Sequence, residues 1–186
     1  MSYSLLAKRL RLPLGFLLAA LYLYFTPTPS TTPLTLAVGG GIAMVGVLIR
    51  GWASGHISKN DRLATTGPYA HTRNPLYFGS FLIGAGFAIA AHWSLLLLVV
   101  AFWAVIYGPT MKRERAYISS LYPEAYAEWA RNVPAFVPRP APWRGAGAEP
   151  APFSLALYMK HGEWKALLGY AAVLTWVAVR LLHPAF

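Results

Sequence analysis

Five apolar runs, at residues 12–25, 34–49, 76–91, 94–107 and 166–182, restrict what this chain can build. Backbone N–H and C=O groups that enter hydrocarbon must be satisfied inside the protein, so runs of this length are expected as helices packed side by side. Several fall short of the roughly 20 residues that cross a ~30 Å core untilted; flanking aromatics complete them, or the bilayer thins around them. Trp52, Trp93 and Trp164 stand near run ends, where an aromatic belt belongs. The chain is 56% hydrophobic and 12% charged, outside the balance of a soluble domain. The expected fold is therefore all-α, a polytopic transmembrane helix bundle of about five spans.

The chain's 186 residues suffice for one membrane domain and leave no room for a soluble catalytic domain. Chemistry must then be built from helix ends and the loops that join them. No cysteine is present, which excludes disulfide frameworks, thiolate nucleophiles and Cys-ligated metals. A cleavable signal is not expected, because the first run lacks a small-residue cleavage site and further spans follow it.

The connectors and the basic residues set an orientation. Residues 26–33 carry no charge and three prolines, and only Ala91, His92 and Trp93 separate the third run from the fourth; both read as short extracytoplasmic turns. Lys8, Arg9 and Arg11 precede the first run, Arg50, Lys59, Arg62 and Arg73 lie between the second and third, and eight more bases fall between Lys112 and Lys165. All of these occupy one face of the expected topology, leaving Arg180 alone. The positive-inside rule puts that face, with the amino terminus, in the cytoplasm of a multi-pass protein of a bacterial or archaeal inner membrane. The net charge of +10 is read as contact with anionic membrane lipids. Nucleic acid is not an expected partner, since the bases flank spans and form no RNA-binding fold.

The polar groups crowd into two segments. The first, residues 67–79, reads Gly-Pro-Tyr-Ala-His-Thr-Arg-Asn-Pro-Leu-Tyr-Phe-Gly. Gly67 and Pro68 predict a turn. Asn74 before Pro75 predicts an N-cap, with the third helix starting at Pro75. Arg73 then sits just outside a helix N-terminus, where a permanent cation joins unpaired N–H groups and suits a carboxylate or phosphate. The bland alternative is an arginine snorkelling to headgroups; the crowding with Tyr69, His71 and Tyr77 favours the binding reading.

The second segment, residues 114–138, contributes an acid. Glu114 falls in phase with Tyr117, Ile118 and Leu121, which puts it with an apolar stripe. An acid there needs a partner, and near a membrane it is a functional candidate; a structural salt bridge to Arg73 is the alternative. Tyr122, Tyr126 and Trp129 recur at helical spacing as an aromatic stripe, expected either as core packing or as a surface for a flat ligand.

Together the two segments resemble the membrane-embedded methyltransferases of the isoprenylcysteine carboxyl methyltransferase and phospholipid methyltransferase family. That family carries a pattern like His-x-Leu-Val-x-x-Gly-x-Tyr, then Arg-His-Pro-x-Tyr-x-Gly, then Glu-Glu-x-x-Leu with Phe-Gly-x-x-Tyr-x-x-Tyr and a closing Val-Pro-x-x-x-Pro. Residues 61–69, 73–79 and 114–138 match it in order and spacing. The resemblance implies S-adenosylmethionine as cofactor, contacted by Asp61, Arg62, Leu63, Ala64, Tyr69, Asn74, Pro75, Leu76, Tyr77 and Glu114. It also implies catalytic roles for Glu114 and for Arg73, the latter as anchor of an acidic group on substrate or cofactor. Asp61 and Asn74 stand where the family has histidines, Arg115 where it has a second acid and Trp129 where it has a second tyrosine. Thr110 stands where prenylcysteine members have a substrate-contacting arginine. These departures bear on the acceptor more than on methyl transfer.

The implied organisation is one membrane domain: a helical hairpin at 12–49, a methyltransferase-like core at 50–138, and a linker, amphipathic stretch and extra span at 139–186. The cofactor site would be formed by helix ends at the cytoplasmic face and a C-terminal helical segment. The extension beyond residue 138 either covers the site or mediates association into a homo-oligomer. Methyl transfer from a sulfonium is an in-line displacement by an already activated donor, so no triad or metal is required. None is expected: the five histidines are scattered and the chain holds one aspartate, Asp61. The acceptor is expected to be lipid-like or prenylcysteine-like, entering laterally from the bilayer. Two other readings stay open. NADPH-dependent sterol reductases share the Arg-x-Pro-x-Tyr-x-Gly turn but usually carry an acid where this chain has Ser80, and a non-catalytic membrane subunit could keep the same fold.

Overall fold

The computed structural model describes residues 3–57, 63–145 and 151–183. Among the described residues seven helices run in order: α1 Tyr3–Phe25, α2 Pro33–Ser54, α3 Pro75–Ala91, α4 Leu95–Leu121, α5 Pro123–Asn132, α6 Leu155–His161 and α7 Trp164–Leu182. A 3-10 turn, Gly67–Ala70, precedes α3. No strand occurs among the described residues. The all-α expectation holds, with a refinement of the span count: α2, α4 and α7 are long and apolar enough to cross a membrane, while Pro13–Phe25 and α3 are apolar over shorter lengths.

The run at 94–107 does not stop at its polar flank. Residues 110–121 include Met, Lys, Arg, Glu, Ala and Leu, with no glycine or proline, so the helix propagates to Leu121 and carries Glu114 with it. Its one irregularity is a π-helical turn at Trp103–Tyr107. Pro109 lacks an N–H and its ring crowds the carbonyl four residues back, and the helix widens in the turn just before it. The helix ends at Tyr122, whose φ of −134° and ψ of 62° are what a following proline imposes. Pro123 then occupies the first position of α5.

The tightest packing is between α2 and α3. A Cβ on Gly39 would strike the backbone of Gly86 and Ala90, and one on Gly46 would strike Gly79 and Ile83. Without side chains at these crossings the two backbones approach directly, the means by which helices gain contact where lipid is as apolar as leucine. On α3, Gly79, Ile83, Gly86 and Ala90 face α2, whereas Gly84 faces Val99 and Trp103 of α4. Ala43 and Ala90 are fully buried, while Phe16, Leu97 and Leu168 lie on the outside. Small residues inside and large apolar residues outside is the arrangement a hydrocarbon solvent selects.

A second cluster, Leu36, Ala90 and Val177, with Leu174, Ala178 and Leu181 against it, docks α7 on α2. At that end the hydroxyl-rich connector is used for capping. Thr32 and Thr35 form a reciprocal capping box at the start of α2. Thr28 Oγ1 and Thr35 Oγ1 donate to the last carbonyls of α3, those of Ala91 at 2.6 Å and Ala90 at 3.2 Å. Orphan groups at two helix ends are thereby satisfied by one loop. The substitution Gly46→Leu is expected to force α2 from α3 and to destabilise the bundle by about 1–3 kcal/mol, the usual cost of overpacking. The thermal unfolding midpoint in detergent checks this; an unchanged midpoint refutes the close-approach account.

Candidate active site

The two polar segments are knitted into one unit at the end of the bundle where α2 finishes and α3 begins. Residues 133–143, after α5, run back along residues 70–74 in the opposite sense. Arg73 N donates to Pro134 O at 2.9 Å, Arg139 N to His71 O at 2.9 Å and Trp143 N to Ala70 O at 2.9 Å. Side chains complete the seam: Thr72 Oγ1 donates to Phe136 O at 2.8 Å and Asn74 Nδ2 to Ala135 O at 2.7 Å. His71 Nδ1 lies 2.8 Å from Arg139 O, and since a carbonyl only accepts, that nitrogen carries the proton. Pro134, Pro138, Pro140 and Pro142 keep this strap out of helix and leave its carbonyls available.

This seam corrects the role expected of Asn74. It occupies the N-cap position of α3, with φ −131° and ψ 56°, but its side chain makes no capping bond. The amide serves the strap instead. The geometry before Pro75 repeats that before Pro123, so proline alone sets both helix starts.

Beneath the strap lies an aromatic core. Ala53, Tyr69, Tyr126, Trp129 and Val133 are buried together, with Leu63, Ala64, Leu76 and Ile118 packed on them. Trp129 Nε1 donates to Tyr69 O at 2.9 Å, and the Tyr126 and Trp129 rings meet edge to face at 5.7 Å. The stripe read from the sequence is thus core packing at Tyr126 and Trp129. Gly67 permits the turn that brings Tyr69 inward: its φ is +57°, and a side chain there would strike the His56 ring.

Two polar atoms in this region are buried without a hydrogen-bond partner, Tyr69 Oη and Arg73 Nε. Arg73 is otherwise held by its Nη1, which donates to Tyr126 Oη at 3.0 Å, and its guanidinium carbon lies 5.9 Å from the Tyr126 ring centroid. Burial pushes the Tyr69 phenol well above its ordinary value; the charges of Glu163 and Glu114 push the same way and Arg50 pulls back. The phenol therefore stays protonated, a neutral donor.

Glu114 is exposed and accepts from Tyr77 Oη at 2.8 Å. Of the stripe it shares, Tyr117 and Leu121 are exposed and Ile118 packs on the aromatic core. Arg73 and Glu114 approach the mouth of α3 without forming an ion pair; each is engaged by a tyrosine instead. The ion pair found among the described residues is Arg50 with Glu163, at 2.8 Å. Sequence reasoning passed over it, and the signal was slight: an arginine ending one span and an acid beginning another, 113 residues apart.

Of the residues expected to contact a cofactor, Leu63, Ala64, Tyr69, Asn74, Pro75, Leu76, Tyr77 and Glu114 are brought to this end of the bundle. Asp61 and Arg62 lie outside the described residues. Thr110 is buried and donates to Ile106 O at 2.8 Å, a bond within its own helix. Two apolar grooves, of about 390 and 310 Å³, lie elsewhere. Their walls come from α2, α6, α7 and Phe153 just before α6, with none from α3, α4 or α5.

The phospholipid methyltransferase family model matches residues 37–125, from α2 to the start of α5. The cobalt-zinc-cadmium resistance protein CzcN of Cupriavidus metallidurans is 35% identical over 145 residues, 73% of this chain and 64% of CzcN. The nickel-cobalt-cadmium resistance protein NccN of Alcaligenes xylosoxydans is 34% identical over 106 residues, 53% of this chain and 49% of NccN. Protein-S-isoprenylcysteine O-methyltransferase of Schizosaccharomyces pombe is 29% identical over 83 residues, 44% of this chain and 35% of that enzyme. The matched stretches span less than two thirds of each relative's length. No solved structure matches the chain. Residues 37–125, which hold Tyr69, Arg73, Asn74, Tyr77 and Glu114, are the stretch over which this chain is similar to the phospholipid methyltransferase family.

Proposed function

We propose that the protein transfers a methyl group from S-adenosylmethionine to a lipid-like acceptor that reaches the site laterally from the bilayer at the cytoplasmic face. The observation that carries this reading is the pair of orphaned buried atoms, Tyr69 Oη and Arg73 Nε, at the mouth of α3 in the family-matched segment. Buried polar groups are rarely left unsatisfied, and where they are, a ligand is a physical reason. A hydroxyl donor and a guanidinium N–H suit a ligand with an acidic group and polar substituents. S-adenosylmethionine has both, so the residues present fit it.

When bound, the cofactor supplies an already activated methyl. The chain has three tasks. Arg73, fixed over Tyr126, offers a permanent charge beside the N-terminus of α3 for an acidic group. Glu114 is held through one oxygen by Tyr77, which leaves acceptor capacity for a protonated amine. Tyr69, kept neutral by burial, donates from below, and Leu63, Ala64 and Leu76 form the apolar floor that excludes water. Positioning of this kind is the main contribution a protein makes to an in-line transfer. The cytoplasmic orientation rests on the basic residues gathered at this end.

Calorimetry with S-adenosylhomocysteine on the purified protein tests the reading directly: saturable binding is expected, and none at high micromolar concentration overturns it. Arg73→Ala and Glu114→Ala are each expected to abolish binding or turnover in a folded chain, and wild-type values in both would reduce these residues to structural partners. Tyr69→Phe removes a hydroxyl that no protein group uses, so the thermal midpoint is expected to hold while affinity for S-adenosylhomocysteine falls about tenfold, the effect of one buried hydrogen bond. Unchanged affinity would show that the hydroxyl meets no ligand.

A further inference from the structure

Arg50 lies within the family-matched segment and Glu163 beyond it. The guanidinium meets the carboxylate fork on fork, with Nε donating to Oε2 at 3.0 Å and Nη2 to Oε1 at 2.8 Å. The third nitrogen turns toward α3. Nη1 donates to Leu76 O at 3.4 Å and to Ser80 Oγ, and Ser80 Oγ in turn donates to Leu76 O at 2.9 Å. Leu76 precedes Tyr77, the residue that grips Glu114. One planar cation thus joins the start of α7 to the first turn of α3, in the fixed geometry that only arginine provides.

The pair is not needed to dock the C-terminal helices. Val177 is fully buried in the cluster with Leu36 and Ala90, and Tyr170 Oη donates to Gly40 O at 3.2 Å. Ser154 N donates to Gly55 O at 2.9 Å, and His161 Nδ1 lies 3.0 Å from Ser54 O. A partly buried ion pair adds little net stability once desolvation is counted, and its better-supported use is to specify one arrangement over others. What the pair adds to the existing docking is its hold on α3. The charges of Arg50 and Glu163 also reach the Tyr69 phenol, which places them beside the site.

We infer that Glu163 is a positioning residue of the methyl-transfer site: it orients Arg50, and through Arg50 the C-terminal helices hold the first turn of α3 and the Tyr77–Glu114 contact in place. This rests on the methyltransferase reading above, and it makes the extension beyond the matched segment a working part of the site.

The test is a double-mutant cycle in the full chain with Glu163→Gln and Glu114→Gln, the latter keeping one acceptor oxygen and so weakening binding without abolishing it as alanine does, read by S-adenosylhomocysteine affinity and by amide hydrogen exchange. Glu163→Gln alone is expected to weaken binding about tenfold, and about twofold or less when Glu114 has already been replaced, since coupled residues lose non-additively. Equal losses in both backgrounds overturn the inference. Exchange is expected to rise about tenfold at residues 76–80 in Glu163→Gln while α7 stays protected, because a local opening is released and the helix remains docked. Arg50→Lys, which keeps the charge but loses the fork, should reproduce that rise. Unchanged exchange at residues 76–80 overturns the inference even if the wild type binds the cofactor product. A rise there in a protein that binds none leaves the positioning intact and overturns the methyltransferase reading.

Discussion

The antiparallel seam between residues 70–74 and 134–143 is the interaction on which the polar end of this bundle depends. Beyond Ala70, which ends the 3-10 turn, neither stretch is helix, and neither satisfies all of its own backbone, so each supplies what the other lacks. The strap is rich in proline, which cannot donate, and its partner turn offers N–H and hydroxyl groups at Thr72, Arg73 and Asn74. Pairing them fixes the depth of Tyr69 and the reach of Arg73. It also closes the lid over the Tyr126 and Trp129 core, so the aromatic packing and the polar site are consequences of one set of bonds.

Close approach of α2 and α3 supplies the second constraint. With glycine on both sides of two crossings, the helices share a nearly fixed separation. That separation brings Arg50, at the end of α2, within reach of the first turn of α3. A wider pair would leave its guanidinium to water or headgroups. Packing in the apolar middle of the bundle therefore governs the geometry of charges at its end.

Much of this was legible in the sequence, for reasons that can be located. Pro75 and Pro123 announce helix starts because their effect is local and steric. The all-α class followed from apolar run lengths, and the two polar segments were rightly grouped. What stayed hidden depends on partners distant in the chain. Asn74 had the composition of a cap, but its amide was claimed by Ala135, 61 residues away. Which side of α3 meets α2 was hidden because nearly every residue in that helix is small or apolar, so no periodic contrast marks the buried side. A salt bridge between Arg73 and Glu114 was the alternative reading, and each found a tyrosine instead. Glu163 stood in the unmatched extension, with no local pattern to connect it with Arg50.

The π-helical turn at Trp103–Tyr107 has a bearing on Glu114 that lies in helical phase. A π turn holds one more residue than an α turn, so every side chain after it is rotated by about 100° from where the preceding helix would point it. The first part of α4 is timed to lipid and to α3, the last part to α1 and to Tyr77. The Trp103 and Tyr107 rings, stacked 4.2 Å apart, span the place where the two timings join. α4 thus works as two helices on one axis, and the offset between them lets a single continuous span present apolar residues to the bilayer and an acid to the mouth of α3.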